Sequence, residues 1–198
     1  MDRIFSSEQA EGYDKRILKL IPDYAALLTT VGAAVRNELA SGRVLIFGAG
    51  TGAEIPHLSG FDLTAYEPSE PMRALGQSKF PDVHWAEPIG TYDAVVSCLV
   101  AHFQSDFGSE SVHRYAPFAV VAAMVRPESD QEAEQWMNHL QSKMAGPENP
   151  AERRLRAEGV YGDLSRNVEL RSAAWYEDRL RNPRGIFARP MIRAWVSQ

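Results

Sequence analysis

Short apolar runs alternate along this chain with segments in which apolar residues recur every three or four positions. Residues 44–47 form an apolar run that stops at a glycine, as expected of a strand buried on both faces of a parallel sheet. Similar patterns predict strands at residues 63–66, 83–85, 94–97, 118–125, 185–189 and 191–196. Helical spacing predicts helices at residues 6–21, 24–39, 70–79, 131–144 and, after residue 150, to about residue 181. This order indicates an α/β fold whose sheet is mostly parallel, with one antiparallel strand from the final hairpin.

Three glycines follow the first apolar run at alternate positions, Gly48, Gly50 and Gly52, and residues 53–55 are suited to open a helix. Glycine lets the backbone turn sharply and approach a ligand, because no Cβ intervenes. The second strand ends at Glu67, where a carboxylate can accept both hydroxyls of a ribose. Glycine clusters also occur in plain turns. The order found here, which is strand, loop, helix, strand and acid, nevertheless predicts half of a nucleoside-binding site.

The composition is that of an ordinary globular chain, with 44% hydrophobic and 24% charged residues and a net charge of −5. Residues 151–198 carry ten arginines against six acids, which suits either an anion site or a solvated helical face with ion pairs. Cys98 is the only cysteine, so an intrachain disulfide is excluded and a cytoplasmic location is favoured. We expect no membrane association, because no apolar segment reaches the length of a signal peptide or a membrane span. We expect no metal site, because the histidines lack metal-ligand spacing.

Three motifs resemble those of the class I S-adenosylmethionine-dependent methyltransferases. The family's apolar strand closing on Gly-x-Gly-x-Gly is matched by residues 44–52, its acid-x-Ser-x-x-Met turn by residues 67–72, and its Tyr/Phe-Asp-x-Val-x-Ser run by residues 92–97. The resemblance covers about residues 43–100, together with the last strand. It implies a Rossmann-like methyltransferase sheet, a methyltransferase activity, S-adenosylmethionine as cofactor and S-adenosylhomocysteine as its product.

The resemblance also implies roles for residues of the first two motifs. Gly48, Ala49 and Gly50 correspond to the loop that passes under the methionine portion and the ribose, with backbone groups facing the ligand. Glu67 corresponds to the acid that takes the ribose hydroxyls.

Other positions correspond to the adenine and methyl-donor ends of the site. Pro68 and Met72 would flank adenine, and Glu87 matches the acid that meets the adenine amino group. Cys98 and Leu99, just past the fourth strand, would line the methyl-donor end.

The sequence departs from the family pattern in three places. The acid usually found two residues before the first glycine is Ile46 here. The loop at residues 88–91 is very short, and residues 115–118 replace the usual glycine turn before the fifth strand. These differences bear on cofactor affinity and active-site detail rather than on the fold.

A shorter likeness is to the carboxy-S-adenosylmethionine synthase branch, whose members serve uridine modification in tRNA. It rests on residues 13–24 and on residues 167–170. In that branch an N-terminal tyrosine and a nearby arginine meet the cofactor carboxylate, which implies this role for Tyr13 and Arg16. A core tyrosine and a surface arginine are the alternative interpretation.

Two other classes compete with a methyltransferase. The glycine pattern also satisfies the nicotinamide-dehydrogenase fingerprint, although such domains usually begin near the chain start and need room for a substrate domain. A non-enzymatic protein that keeps the fold is the second alternative, and Ile46 gives it some support.

The resemblance and the length predict one methyltransferase domain spanning residues 1–198. Residues 1–41 would form a helical N-terminal lid, residues 43–125 the cofactor-binding core, and residues 130–198 later helices and the final strands.

The acceptor is expected to be a small molecule rather than nucleic acid, since no RNA-binding appendage is recognisable. His102 lies where the acceptor should sit and is the one candidate base, with packing as its alternative role. The acceptor itself stays unidentified and the oligomeric state open, a homodimer included.

Overall fold

The computed structural model describes residues 7–144, 149–167 and 170–198, which form a seven-stranded sheet with packed helices. The strands are β1 Arg43–Phe47, β2 Asp62–Tyr66, β3 His84–Trp85, β4 Ala94–Cys98, β5 Phe118–Met124, β6 Arg184–Arg189 and β7 Ile192–Ser197. The helices are α1 Ser7–Ala10, α2 Tyr13–Leu20, α3 Tyr24–Glu38, α4 Glu70–Lys79, α5 Glu110–His113, α6 Asp130–Lys143, α7 Pro150–Asn167 and α8 Ala173–Arg179. Short 3-10 turns span Ile55–Leu58 and Ala101–Phe103.

The strand order is β3-β2-β1-β4-β5-β7-β6. Strands β1 to β5 pair in parallel, and β7 runs antiparallel to both of its neighbours. This confirms the predicted Rossmann-like sheet, mostly parallel with one antiparallel strand among those described. Because the chain continues from β1 to β2 on one side and returns to β4 on the other, a crevice opens at the carboxyl ends of β1 and β4.

Both faces of the sheet are covered, which explains why its central strands are continuously apolar. Along β1, Ile46 faces the layer that contains α2, α3 and α6, whereas Leu45 and Phe47 face the opposite layer with α8. Trp136 anchors the first layer, and Trp195 lies in the second; each is almost completely buried.

The N-terminal helices differ from the sequence expectation in one respect. The helix predicted at residues 6–21 is divided into α1 and α2 at Gly12, whose φ of 69° lies in the left-handed region that helices avoid. Its first residue, like residues 1–5 of the expected lid, lies outside the described residues. The second predicted helix is present as α3, and Gly32 on it approaches the carbonyl of His57 so closely that an added Cβ would lie 2.3 Å from the oxygen.

One other predicted segment differs from the structure, and a second is only partly described. The helix expected from residues 53–55 is only a turn followed by the four-residue 3-10 segment, which contains Pro56 and ends before Gly60. The resemblance at residues 167–170 includes two residues, 168 and 169, that lie outside the described residues.

In the parts of the chain that the structure describes, each helix taken alone is too short or too polar to cross a bilayer. Only α2 and α3 together reach the required length and apolar content, and they are bent by 94° at the break between them.

The packing of α4 against β3 yields a stability prediction. A Cβ added at Gly76 would lie 2.2 Å from Cη2 of Trp85. We expect Gly76→Ala to lower the free energy of unfolding by about 1–3 kcal/mol in urea titrations, because the indole must move. Gly159→Ala on α7 is the matched control, since nothing lies within 4 Å of its added Cβ, and it should stabilise by up to about 1 kcal/mol through helix propensity. Equal effects of the two substitutions would contradict the close packing.

Candidate functional site

The glycine loop after β1 is fixed by contacts that require glycine. The N–H groups of Gly48 and Ala49 both donate to the carbonyl of Tyr66, at 2.8 and 2.9 Å, so the loop is joined to the end of β2. Gly48 has a φ of 74°, and a Cβ there would lie 2.4 Å from Cγ2 of Val100. The loop is therefore held against β2 on one side and against the segment after β4 on the other.

Glu67 connects the glycine loop to helix α4. Its Oε2 accepts the N–H of Gly50 at 2.8 Å, and its Oε1 accepts the N–H of Ser69, the N-cap of α4, also at 2.8 Å. The residue is only 7% exposed. Burial raises the pKa of its carboxyl, while the two N–H groups and Arg73 act in the opposite direction. The carboxylate sits at the carboxyl edge of the sheet with its orientation fixed.

Glu54, which the sequence reasoning did not single out, is the second buried acid of the site. It is 5% exposed, and burial raises the pKa of its carboxyl to about 7, with the neighbouring charge of Glu67 adding to the shift. The Cys98 thiol hydrogen-bonds to this carboxyl. Oε2 of Glu54 is buried and has no hydrogen-bond partner among the described residues. In the sequence, Glu54 is recognisable only as an acid shortly after the glycine loop, and the sequence does not reveal that it is buried.

Helix α2 lies across these acids. Burial raises the pKa of the Tyr13 phenol well above its ordinary value, and the negative charges of Glu54 and Glu67 raise it further. Asp14 accepts hydrogen bonds from the hydroxyl of Thr51 in the glycine loop and from the ammonium of Lys79 at the end of α4. The N-terminal segment is thus attached to the glycine loop and to α4, the two elements that Glu67 connects.

A polar cavity of about 620 Å³ opens beside the ends of β1, β2 and β3. The rings of Phe47, Tyr66 and Tyr115 pack against one another on its wall in a tilted arrangement, with centroid separations of 5.2 Å and 5.6 Å from Phe47. Glu87 also lines it and, together with Glu67, raises the pKa of Tyr66 after the larger effect of burial. Tyr66 thus lines the polar cavity together with Glu87, a role that sequence reasoning missed.

A second, mainly apolar cavity of about 480 Å³ lies between α2 and the ends of β4 and β5. Tyr13 and Arg16 line it from the helix side, Leu99 and His102 from the sheet side. Phe103 lines both cavities and so stands between them. Leu99 has a φ of 59°, an uncommon conformation for a leucine, which is held by the hydrogen bond from its N–H to the carbonyl of Ala122 at 2.7 Å.

His102 is placed at this cavity but in a setting that does not favour a base. It is 6% exposed, and burial lowers the pKa of its imidazole to about 3. Its Nδ1 accepts the N–H of Met124 at 3.3 Å, and its ring packs on Phe103 with centroids 4.3 Å apart. These contacts are those of a packing residue in a cavity wall. A catalytic role for His102 stays a prediction, against which these features count.

The other residues proposed from sequence fall into two groups. Glu67, Gly50 and Met72 are brought together: Met72 is 1% exposed, and its Cε lies 3.4 Å from a Cβ built on Gly50. Pro68 follows Glu67 directly and is partly exposed. Glu87 and Cys98 lie apart from this group, the first in the wall of the polar cavity and the second buried against Glu54.

Several S-adenosylmethionine-dependent methyltransferases of known structure share this fold. The complex of DhpI with S-adenosylhomocysteine aligns with 97% of this chain and 93% of its own, at 17% identity and a TM-score of 0.59. An S-adenosylmethionine-dependent methyltransferase from Thermotoga maritima aligns with 97% and 96%, at 14% identity and 0.60. The CurJ carbon methyltransferase aligns with 98% of this chain but 61% of its own, at 13% identity and 0.63. At such identities the likeness shows the fold alone. No family model matches the sequence, and no curated protein is significantly similar to it.

The raised pKa of Glu54 predicts a specific dependence of stability on pH. Because the folded carboxyl titrates near 7 and the ordinary value is 4.5, the folded state binds more protons than the unfolded chain between these values. Stability is therefore lost as the pH rises from about 4.5 to about 7. Glu54→Gln removes this ionisation, so we expect the variant to gain roughly 2–3 kcal/mol relative to the wild type between pH 5 and pH 8.

Urea unfolding at the two pH values measures this gain. Glu70→Gln, on the exposed first turn of α4, is the control and should follow the wild-type profile. Parallel profiles for the wild type and Glu54→Gln would show that Glu54 is ionised at the same pH in the folded and unfolded states.

Proposed function

We propose that this protein is an S-adenosylmethionine-dependent methyltransferase that acts on a small-molecule acceptor. The observation that carries the proposal is the position of the Glu67 carboxylate, held by the N–H groups of Gly50 and Ser69 at the end of β2. A carboxylate has about four lone-pair sites, and two are used by these N–H groups. The remaining two can accept the hydroxyls of a ribose, as at the ends of second strands in nucleoside-binding folds.

The residues around Glu67 fit the remaining parts of this cofactor. The rings of Phe47, Tyr66 and Tyr115 offer faces on which a purine can stack. Glu87 in the same cavity can accept a hydrogen bond from the amino group of that purine. When bound, S-adenosylmethionine supplies an electrophilic sulfonium methyl group. The fold supports this assignment, since the solved structures that share it include S-adenosylmethionine-dependent methyltransferases.

We assign Glu54 to the amino-acid end of the cofactor. Position 46, where the methyltransferase pattern has an acid, is the fully apolar Ile46, 1% exposed. Glu54 brings a carboxyl to the same loop, with an Oε2 that lacks a partner among the described residues. An ammonium group beside it would favour the ionised form and complete its hydrogen bonding.

The apolar cavity is assigned to the acceptor. Its volume of about 480 Å³ lies in the range of small-molecule sites, and it is separated from the polar cavity by Phe103. The protein would place the acceptor by its apolar walls and exclude water, which are the main contributions that methyl transfer needs. With His102 neutral, the site suits an acceptor atom that needs no general base.

A carboxy-S-adenosylmethionine synthase-like activity is the second candidate. It is favoured by one observation: Tyr13 and Arg16, the residues implied for the cofactor carboxylate in that branch, line the same cavity as Leu99.

Binding of S-adenosylhomocysteine tests the proposed function. We expect Glu67→Ala to weaken this binding by about tenfold or more in calorimetry, because charge-assisted hydrogen bonds to the ribose are lost. Glu70→Ala, three residues further along at an exposed position, should leave the affinity unchanged. Equal affinities of the wild type and Glu67→Ala would remove the ribose role. Absence of binding by the folded wild type would favour a protein that keeps the fold without the chemistry.

The attachment of α2 to the glycine loop predicts that the N-terminal helices act as a lid. We expect S-adenosylhomocysteine to slow amide hydrogen exchange in residues 8–21 as well as in residues 48–52, because Tyr13 lies beside Glu54 and Glu67. Exchange in α7 should not change and serves as the internal control. Protection restricted to the glycine loop would leave α2 as ordinary packing. Stronger protection by the carboxylated cofactor than by S-adenosylmethionine would favour the synthase-like candidate.

A further inference from the structure

His102 is the most deeply buried of the polar residues that line the apolar cavity. It belongs to the 3-10 turn Ala101–Phe103, which follows β4 and is closed by the N–H of Phe103 donating to the carbonyl of Val100 at 2.9 Å. The turn therefore places an imidazole in a cavity wall that is otherwise mainly apolar. A polar ring in such a place has to use its hydrogen-bonding groups, because burying an unsatisfied one is costly.

A backbone group of β5 holds the imidazole. Cys98, the last residue of β4, pairs with Ala122, so β5 continues for two residues beyond the end of β4. Backbone groups two residues apart in a strand face the same side, and the N–H of Met124 therefore faces the space that follows β4. This N–H donates to Nδ1 of His102 at 3.3 Å. The ring thus takes the place of a further strand residue at the edge of the site.

This hydrogen bond fixes where the proton of the imidazole lies. A neutral imidazole has one nitrogen that donates and one that accepts, and the partner of one nitrogen decides the role of the other. Because Nδ1 accepts an N–H, the proton is on Nε2. A doubly protonated ring could not accept at Nδ1, and burial, which lowers the pKa of His102 to about 3, disfavours that form at neutral pH.

Nε2–H is the polar group that His102 presents to the apolar cavity. The Nδ1 edge of the ring is occupied by Met124, and the ring packs on Phe103. Nε2 makes no hydrogen bond within the part of the chain that the structure describes. It is also not one of the unpaired side-chain atoms there that are sealed from solvent, so it is open to the cavity that its residue lines. A fixed, neutral donor is therefore available to a molecule in this cavity.

We infer that His102 selects the acceptor by donating its Nε2–H to a carbonyl oxygen of an otherwise largely apolar molecule. This rests on the proposed function for the identity of the cavity as the acceptor site. A carbonyl oxygen suits the donor because it accepts strongly without carrying charge, and the apolar side chains nearby, Leu99 and Met124, disfavour a charged group. A ligand without such an oxygen leaves the buried N–H unpaired, which is how sites of this kind reject close analogues. His102 thus contributes specificity and orientation without taking up a proton.

Nitrogen-15 NMR of the full chain tests the tautomer without any ligand. At neutral pH we expect the imidazole shifts of His102 to be those of a neutral ring protonated at Nε2, because Nδ1 accepts the N–H of Met124. The signals of His102 are identified by their absence from the spectrum of His102→Gln. A ring protonated at Nδ1, or at both nitrogens, would overturn the inference.

Two probes of nearly the same shape test the selection of a carbonyl group. Acetophenone carries a carbonyl oxygen where α-methylstyrene carries a methylene group. The affinity of the full chain for each probe is measured by NMR titration, with and without S-adenosylhomocysteine. Because the alkene is the more hydrophobic of the two, the informative quantity is the ratio of the two affinities and its change on substitution.

The variants His102→Asn and His102→Gln separate the roles of the two ring nitrogens. The amide oxygen of Asn is as many bonds from Cβ as Nδ1, so this variant can still accept the N–H of Met124 but has no donor at the position of Nε2. The amide nitrogen of Gln is as many bonds from Cβ as Nε2, so it keeps a donor there. We expect the preference for acetophenone to fall about tenfold in His102→Asn and to stay within about threefold of the wild type in His102→Gln.

His84→Gln, at an exposed position on β3 outside the apolar cavity, is the matched control and should behave as the wild type. Thermal melts establish that each variant is folded. An unchanged ratio in His102→Asn would overturn the inference, because that result is expected if the ring only packs and accepts the N–H of Met124. Failure of the wild type to bind acetophenone would overturn it as well.

Failure of S-adenosylhomocysteine to bind is a separate outcome. If the affinity ratio still depended on His102, that failure would refute the proposed function and leave His102 as the donor of a site for carbonyl compounds.

Discussion

The site depends on one buried carboxylate. Glu67 receives an N–H from the glycine loop after β1 and another from the start of α4, so a single side chain joins these two backbone segments directly. Asp14 links them a second time, through Thr51 and Lys79. Each N–H is withdrawn from water, and a buried donor without an acceptor would cost about 1–3 kcal/mol. The burial that raises the pKa of this carboxyl is therefore offset by hydrogen bonds that also shape the loop. The oxygens that shape the loop are the same ones that we propose to accept the ribose hydroxyls.

The region around Glu67 concentrates groups whose charge burial disfavours. The pKa of Glu54 is elevated by burial and by the charge of Glu67, the Cys98 thiol hydrogen-bonds to Glu54, and both acids raise the pKa of the Tyr13 phenol. Buried ionisable groups of this kind cluster at functional sites because their charge state responds to a bound ligand. An ammonium or sulfonium ion would supply the positive charge that the described surroundings of Glu54 lack. This connects the electrostatics of the protein to the cofactor that its fold suggests.

The polar and the apolar cavity lie on opposite sides of Phe103, which lines both. Polar and aromatic groups collect beside the ends of β1 to β3, and apolar groups beside the ends of β4 and β5 under α2. Helix α2 contributes to two parts of this arrangement: Asp14 accepts a hydrogen bond from Thr51 of the glycine loop, and Tyr13 and Arg16 line the apolar cavity. A segment that precedes the sheet in sequence thereby forms much of its functional edge.

The sequence alone determined the elements that follow from local pattern. Apolar runs located the central strands, and the order of glycines, strand and acid placed Gly48, Gly50 and Glu67 at one edge, because parallel strands bring their carboxyl ends together. Tertiary structure decided what local pattern cannot express. Burial made Glu54 a protonatable group near neutrality and kept His102 neutral, since both shifts arise from distant elements that exclude water. Gly12 interrupted the expected N-terminal helix by adopting a left-handed backbone conformation, which the sequence permits at a glycine but does not require. That Arg16 lines one cavity with Lys143 and Arg156 could not be read from the sequence, because Arg16 lies more than a hundred positions before the other two and meets them only when the helices pack.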